Sequence, residues 1–324
     1  MINSDASGGD RNKMTNVLVT GGAGFIGSHL VQSLVRAGWR VRVLDDLSSG
    51  SLENLRNVQQ SIEFLKGDIR DAGMLKAAMR GVGGVFHLAA ISSVERGVKE
   101  PMLVQEVNVG GTLAVLEAAR AAGVKRLVFV SSAATYGDNP RIPLREEEAL
   151  RPLSPYGASK MAGEAYCGVY HHLGFLETVI LRFFNIFGPR QDPSSPYSGV
   201  ISLFCRNATR GLPSFLDGEG TATRDFLYVE DACRALLLAM GNEEVAGRIL
   251  NVAGGQETSI RSLGETIYRL AGLPFQPVDR PPRLGDINRS LADASVAQAL
   301  LGWEAKVSLD EGLRRTLDWM RSQP

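Results

Sequence analysis

The stretch VLVTGGAGFIGSHL, Val17 to Leu30, constrains the fold more than any other. Val17-Leu18-Val19-Thr20 is a short apolar run, the pattern of a strand buried on both faces. After Gly27 the apolar residues Leu30, Val31, Leu34 and Val35 recur at helical spacing, and Gly38 ends the helix. The glycines therefore join a strand to a helix. A second strand, RVRVLDD, follows and ends in Asp45-Asp46. An acid about 20 residues beyond such glycines is placed to bind a ribose. A ligand-free turn would explain the glycines alone, but not strand, helix, second strand and acid together. Gly21 allows the sharp turn, Gly24 lets backbone approach a pyrophosphate, and Gly27 allows the helix to pack closely on the strand. The helix N-terminus then offers N–H groups and a positive dipole end to the phosphates. Two carboxylates would repel a 2′-phosphate, which favours NAD over NADP.

The alternation continues. IEFLKGD reads as a strand ending at Asp68, and GVFHLAA as a strand from Val85 to Ala90. Residues 102–122 read as one long helix, RLVFVSS as a fifth strand, 156–173 as a helix and ETVILRFFN as a sixth strand. Strands alternating with helices imply an α/β fold with a doubly wound parallel sheet, whose ligands sit beyond the carboxyl ends of the strands. Asp68, Ala89, Ala90, Ser131, Ser132 and Asn185 all fall at such ends.

With 324 residues the chain can bury a substantial core. Thirty-five basic residues balance thirty-five acidic ones, so no global field draws in nucleic acid or an anionic membrane. Cys167, Cys205 and Cys233 are far apart, with no metal-ligand spacing and no disulfide framework, as suits a reducing cytoplasm. Residues 1–15 read as a polar, disordered tail, and no apolar run approaches the roughly 18 residues that span a bilayer.

SPYGASKMAGEAY carries the chemistry. Ser154 and Pro155 suit a helix cap and first turn. Tyr156 and Lys160 are four apart and share a face. A nearby ammonium and a positive nicotinamide would favour the tyrosine phenolate, making Tyr156 a general base. Ser132 could donate to the reacting oxygen.

TGGAGFIG, HLAA, SSAATYG and YGASK together resemble the extended short-chain dehydrogenases/reductases. RFFNIFGPRQDP, GEGTATRDFLYVEDACRA and RLGDINRSLADASVAQALLGW narrow the resemblance to nucleotide-sugar epimerases and dehydratases, nearest the UDP-glucose/UDP-N-acetylglucosamine 4-epimerases. The resemblance covers about residues 16–321. It implies a Rossmann domain over 16–185, rejoined by 226–254, and a smaller, discontinuous substrate domain over 186–225 and 255–324. It also implies a homodimer built from the helices at 102–122 and 156–173.

By motif position, Ser132, Tyr156 and Lys160 correspond to the family's catalytic triad. Gly21, Gly24, Phe25, Ile26, Asp45, Asp68, Ile69, Ala89, Asn108 and Lys160 match its NAD contacts, joined by Ser49 and Gly50. Asp46, Leu88, Ala90, Ser131, Tyr156 and Phe183 complete the expected cofactor set. Asn185, Arg224 and Arg283 match diphosphate contacts, and Asp286 lies near the uridine ribose. Ser93, Ser132, Tyr156, Val200, Phe215 and Ser290 complete the expected substrate set. No metal is expected. The implied chemistry is reversible C4 epimerisation of a UDP-hexose through a 4-keto intermediate.

The 4,6-dehydratases carry an Asp-Glu pair after the catalytic Ser or Thr, where this chain has Ala133-Ala134, and alanine transfers no proton. A UDP-glucuronate epimerase or decarboxylase stays open, with Arg190 or Arg206 as a carboxylate reader. A small residue at Ser290 implies room for an acetamido group. A non-catalytic NAD-binding sensor is the reading of a different class, disfavoured because serine, tyrosine and lysine are all present.

Overall fold

The structure is a computed structural model that describes residues 16–192, 199–281 and 287–323. The tail expected over 1–15, and Arg283 and Asp286, lie outside the described residues. β1 (Asn16–Thr20) leads through α1 (Phe25–Arg36) to β2 (Arg40–Asp45) and β3 (Ile62–Lys66). α2 (Ala72–Ala78) precedes β4 (Gly84–His87). Then come α3 (Val94–Lys99), α4 (Pro101–Val104), α5 (Gly111–Ala121), β5 (Arg126–Ser132), α6 (Pro155–His172) and β6 (Glu177–Phe183). The later elements are β7 (Ile186–Phe187), α7 (Val200–Thr209), β8 (Phe215–Asp217), β9 (Thr223–Asp225), β10 (Leu227–Tyr228) and α8 (Val229–Gly241). They end with β11 (Ile249–Val252), β12 (Glu257–Ser259), α9 (Ile260–Ala271), β13 (Val278–Arg280), α10 (Ser295–Leu301) and α11 (Leu309–Arg321).

Seven strands form one sheet in the order β11-β6-β5-β4-β1-β2-β3, every neighbouring pair parallel. The sheet is doubly wound, and the chain reverses its direction of travel at β1, between β2 and β4. That switch point opens a crevice at the strand ends. Val17 and Val19 pack on one side of the sheet with Leu30, Val31 and Leu34 of α1, while Leu18 packs on the other with Val115 and Leu116 of α5. All are fully buried. Each such side chain contributes roughly 1.5–3 kcal/mol relative to exposure. Burial on both faces explains why β1 reads as a continuous apolar run rather than an alternating one.

Three boundaries differ from the sequence expectation. β4 stops at His87 instead of Ala90, and β3 at Lys66, short of Asp68. In both cases the chain leaves the ladder to form the crevice wall. The expected helix over 102–122 is interrupted by a π-helical stretch, Gln105–Gly110, that contains Asn108. Apolar periodicity does not reveal one extra residue per turn.

Beyond the carboxyl ends lie three two-stranded sheets, β7 with β10, β8 with β13 and β9 with β12. Among the described residues no helix is long and apolar enough to cross a membrane.

Candidate active site

Gly21 adopts φ +71°, a left-handed conformation that disfavours side chains, and a Cβ there would lie 2.7 Å from the Ala89 nitrogen. A Cβ on Gly27 would lie 2.1 Å from the Gly21 oxygen. The backbone thus comes closer than any side chain permits. Gly24 caps α1 with no side-chain hydrogen bond, and no acid stands in the first turn. The N–H groups of Phe25 and Ile26 and the helix dipole are therefore aimed at whatever fills the cradle. Gly50 runs against the same loop, where a Cβ would lie 2.8 Å from the Ala23 carbonyl carbon. A dinucleotide pyrophosphate fits this cradle of backbone donors.

Asp45, at the end of β2, is buried. Its Oδ2 accepts the Ala23 N–H at 2.9 Å and its Oδ1 the Leu47 N–H at 2.8 Å. Burial pushes its carboxyl upward, opposed by those two bonds. A carboxylate offers about four acceptor sites, so each oxygen keeps one for a ribose hydroxyl. Asp46 is exposed and accepts from Ser48 N at 2.8 Å, and Ser49 beside it is also exposed. The Arg70 side chain holds the Asp68 carboxyl below its ordinary range, with Nη2 to Oδ2 at 2.6 Å. Ile69 is buried, and Leu88, Ala89 and Ala90 line the exit from β4 half-buried. Asn108 spends its side chain on the protein. Oδ1 accepts Ile91 N at 2.8 Å, while Nδ2 donates to Ile91 O at 3.0 Å and to Ser159 Oγ at 2.9 Å. It ties the loop after β4 to α6. Phe183 is buried at the end of β6.

Ser154 caps α6 as expected, accepting the Gly157 N–H at 3.1 Å, with Pro155 in the first turn. A Cβ on Gly157 would lie 2.5 Å from the Ala134 oxygen, so the helix starts pressed onto the turn that follows Ser132. That contact sets the Tyr156 phenol near enough to the Ser132 hydroxyl to be favoured by it. Ser132 Oγ also accepts the Ala134 N–H at 3.1 Å. Lys160 is buried one turn later. Its Nζ donates to the Val130 carbonyl at 2.7 Å and stands 4.9 Å from the centre of the Phe129 ring. Burial pushes the Tyr156 phenol up, with Ser132 opposing.

On the substrate side, Asn185 follows β6 with φ +35° and donates Nδ2 to Asp225 O at 2.8 Å. Arg224 Nη1 donates to Ile287 O at 2.6 Å and Thr223 O at 2.8 Å. Asp225 is buried, accepting from Gly254 N at 2.7 Å, Gly255 N at 3.1 Å and Ala292 N at 3.2 Å. Burial lifts it to about 6 despite those donors. Ser290 is buried in a segment pinned at both sides: Thr223 N donates to Asn288 O at 2.9 Å and Leu144 N to Leu291 O at 2.8 Å. Phe215 is exposed at the start of β8, with the Arg280 guanidinium 3.3 Å from its ring centre. Val200, half-buried, opens α7. Ser93 caps α3, accepting the Arg96 N–H at 3.0 Å.

Two further expectations are corrected. Ser131 turns away from the crevice, because successive residues of a strand face opposite sides. Its hydroxyl is buried and donates to Glu164 at 2.5 Å. Arg190 is not in the sugar region: it donates to Asn54 O at 2.9 Å, to His29 Nδ1 at 3.0 Å and to Gln32 Oε1 at 3.0 Å. With Arg36 and Trp319 it lines a groove of about 580 Å³ that none of the expected cofactor or substrate residues borders. Arg206 contacts the Asn207 side chain at 3.4 Å.

Sequence reasoning missed His87, Glu164, Arg182 and Asp225. Each is a polar group inside an apolar or motif-bearing stretch, GVFHLAA, YGASKMAGE, TVILRFF and TRDF. A charge in such a run is itself a signal, since it stays only where partners are built for it.

The NAD dependent epimerase/dehydratase family model matches residues 17–253. A UDP-glucose 4-epimerase of Mycolicibacterium smegmatis is 42% identical over 312 residues, 94% of this chain and 98% of that relative. The UDP-N-acetylglucosamine 4-epimerase of Methanobrevibacter ruminantium, solved with UDP-N-acetylmuramic acid, superposes with TM-score 0.91 at 38% identity, over 95% of this chain and 99% of that one. The Thermus thermophilus UDP-glucose 4-epimerase, solved with NAD, has TM-score 0.88 at 40% identity, over 95% and 99%. With the glycine cradle and the Ser132-Tyr156-Lys160 cluster on the same crevice, the chain belongs to the NAD-dependent epimerase/dehydratase family.

Proposed function

We propose that the chain is an NAD-dependent UDP-sugar 4-epimerase that accepts both N-acetylated and plain hexoses. The observation that carries this reading is the end of β5, with Ser132, pressed against the start of α6, which carries Tyr156 and the buried Lys160. The names of the relatives support both sugar classes.

The Gly21–Gly27 cradle and Asp45 would hold NAD, which would supply the acceptor and donor of the hydride at sugar C4. Tyr156 removes the 4-hydroxyl proton and later returns it, and Ser132 holds the same oxygen by a hydrogen bond. A positive nicotinamide would offset the burial that raises the phenol. Asn185 and Arg224 hold the diphosphate while the 4-keto sugar turns over, and Arg283 and Asp286 complete the UDP site. The segments 186–225 and 255–324 serve as the substrate domain.

Ala133 and Ala134 provide no acid or base, which speaks against dehydration. The uronate reading loses Arg190, engaged by α1 and the Asn54 loop. The exposed apolar side chains of Val98, Met102, Tyr166, Val169 and Leu173 on α3, α4 and α6 and at its end suit a homodimer face.

The test is NMR of purified protein with UDP-GlcNAc and, separately, UDP-glucose. The C4 epimer of both is expected. No conversion of either with NAD supplied would reject the epimerase reading.

A further inference from the structure

Arg182 lies inside β6, fully buried, facing away from the crevice. Its guanidinium forks onto Glu164, with Nε to Oε1 at 2.9 Å and Nη2 to Oε2 at 2.7 Å. Glu164 is one turn beyond Lys160 on α6 and also accepts Ser131 Oγ, next to Ser132. The remaining arm, Nη1, donates to Tyr136 OH at 2.7 Å and to Glu146 O at 2.9 Å. Tyr136 is fully buried and donates in turn to Asn251 Oδ1 at 2.7 Å. Asn251 Nδ2 donates to Leu144 O at 2.9 Å and Asp293 O at 3.3 Å. Leu144 pairs with Ala292, two residues from Ser290.

These bonds form one unbroken path from the catalytic helix, through the sheet, to the segment that carries Ser290. Hydrophobic packing would hold the same elements together at lower cost, because a buried ion pair repays its desolvation only with good geometry. What a directional network adds is register. We propose that Arg182 and Tyr136 are positioning residues that fix the Ser290 segment relative to Tyr156, so that the sugar C4 stays aligned as the ring turns over. The proposal rests on the epimerase reading for its kinetic consequence, and on geometry alone for the coupling.

Tyr136→Phe removes one hydroxyl and leaves the ring. Arg182→Lys keeps a cation on Glu164 but cannot also reach Tyr136. Either change removes the Arg182–Tyr136 bond; in Tyr136→Phe the link through Glu146, which accepts from Arg182 Nη1 and from Asn251 N, remains. In each folded variant kcat is expected to fall about tenfold with KM for the UDP-sugar little changed. The double variant is expected to be no slower than the worse single one, as for residues acting through one network. Unchanged kcat, or fully multiplying losses, would overturn the relay. Wild-type turnover is measured first, since its absence rejects the epimerase reading and not the relay. Amide hydrogen exchange then decides the relay alone. Tyr136→Phe should speed exchange both at the start of α6 and at 292–293, and acceleration confined to either place would sink it.

Discussion

The Lys160 ammonium is held 2.7 Å from the Val130 carbonyl, inside the protein and over the Phe129 ring. Burial pulls it down to about 8. Keeping it charged at pH 7 therefore costs about 3 kcal/mol against an ordinary lysine. Lys160→Met removes that cost and leaves Val130 O without a donor, a loss of about 1–3 kcal/mol. The two nearly cancel. Unfolding free energy should stay within about 1 kcal/mol of wild type at pH 7, while turnover falls about 100-fold. The sign follows from linkage. Between pH 8 and about 10 the unfolded chain binds the proton that the folded chain has lost, so wild type gains stability relative to the variant over that window. Urea titrations at pH 7 and 9 beside kcat check this. A large fall in stability with turnover intact would make Lys160 structural.

Two histidines set the response to acid. Thr112 Oγ1 donates to Asn108 O, so His87 must donate through Nε2 to Thr112 and accept from Thr20 Oγ1 at Nδ1. His29 donates Nε2 to Pro189 O and accepts from Arg190. Burial, aided by Lys160, lowers His87 to about 3, and burial, aided by Arg190, lowers His29 to about 4. As pH falls below 6.5 the unfolded chain takes up protons at both sites that the folded chain refuses. Each removes about 1.4 kcal/mol per pH unit. Asp225, raised to about 6, works the other way between pH 6 and 4. From these three groups together the expectation is a loss of about 1.4 kcal/mol per unit from pH 6 to 4. Urea midpoints across that range measure it. In His29→Gln the line should flatten, and an unchanged slope would remove His29 from the account.

Gly27→Ala tests the cradle. The new methyl would meet Gly21 O at 2.1 Å, so backbone must move. Overpacking of this kind costs about 1–3 kcal/mol. The sharper expectation is loss of NAD, because the displaced loop carries the N–H groups that meet the pyrophosphate. Cofactor content by mass and Tm are the readouts. Retained NAD with a lowered Tm would place the strain elsewhere.

The sheet was legible because β1, β5 and β6 write their burial as apolar runs, and the start of α6 because Ser154 is a cap residue of known geometry. The Ser132-Tyr156 contact was legible only through motif and strand order. What stayed hidden was the path behind the site. Nothing local to Arg182 tells that its partners are Glu164, 18 positions earlier, and Tyr136, 46 earlier. The side-chain partners of Ser131 and Lys160 stayed hidden for the same reason. Sequence gives their type and position, but which carbonyl or carboxylate captures a hydroxyl or an ammonium depends on tertiary packing. The π-helical turn at Asn108 leaves no periodic trace at all.

Ser290 offers the test of sugar choice. It is buried, and the backbone around it is fixed by Leu144 on one side and by Thr223, neighbour of Arg224 and Asp225, on the other. A residue so anchored cannot back away when its side chain grows, so on the proposed reading Ser290→Tyr fills space beside the sugar. The acetamido group of UDP-GlcNAc needs that space and the hydroxyl of UDP-glucose does not. A steric exclusion of this kind is expected to cut UDP-GlcNAc turnover by at least about 100-fold and leave UDP-glucose within about threefold of wild type. Ser290→Ala, which only removes a hydroxyl, should keep both activities. The comparison is of kcat/KM for the two sugars in all three proteins, each checked for folding by circular dichroism. A well-folded tyrosine variant that still turns over UDP-GlcNAc would mean that Ser290 faces the protein core rather than the sugar. Equal loss of both activities would mean that the strain reached Asp225 and the diphosphate site.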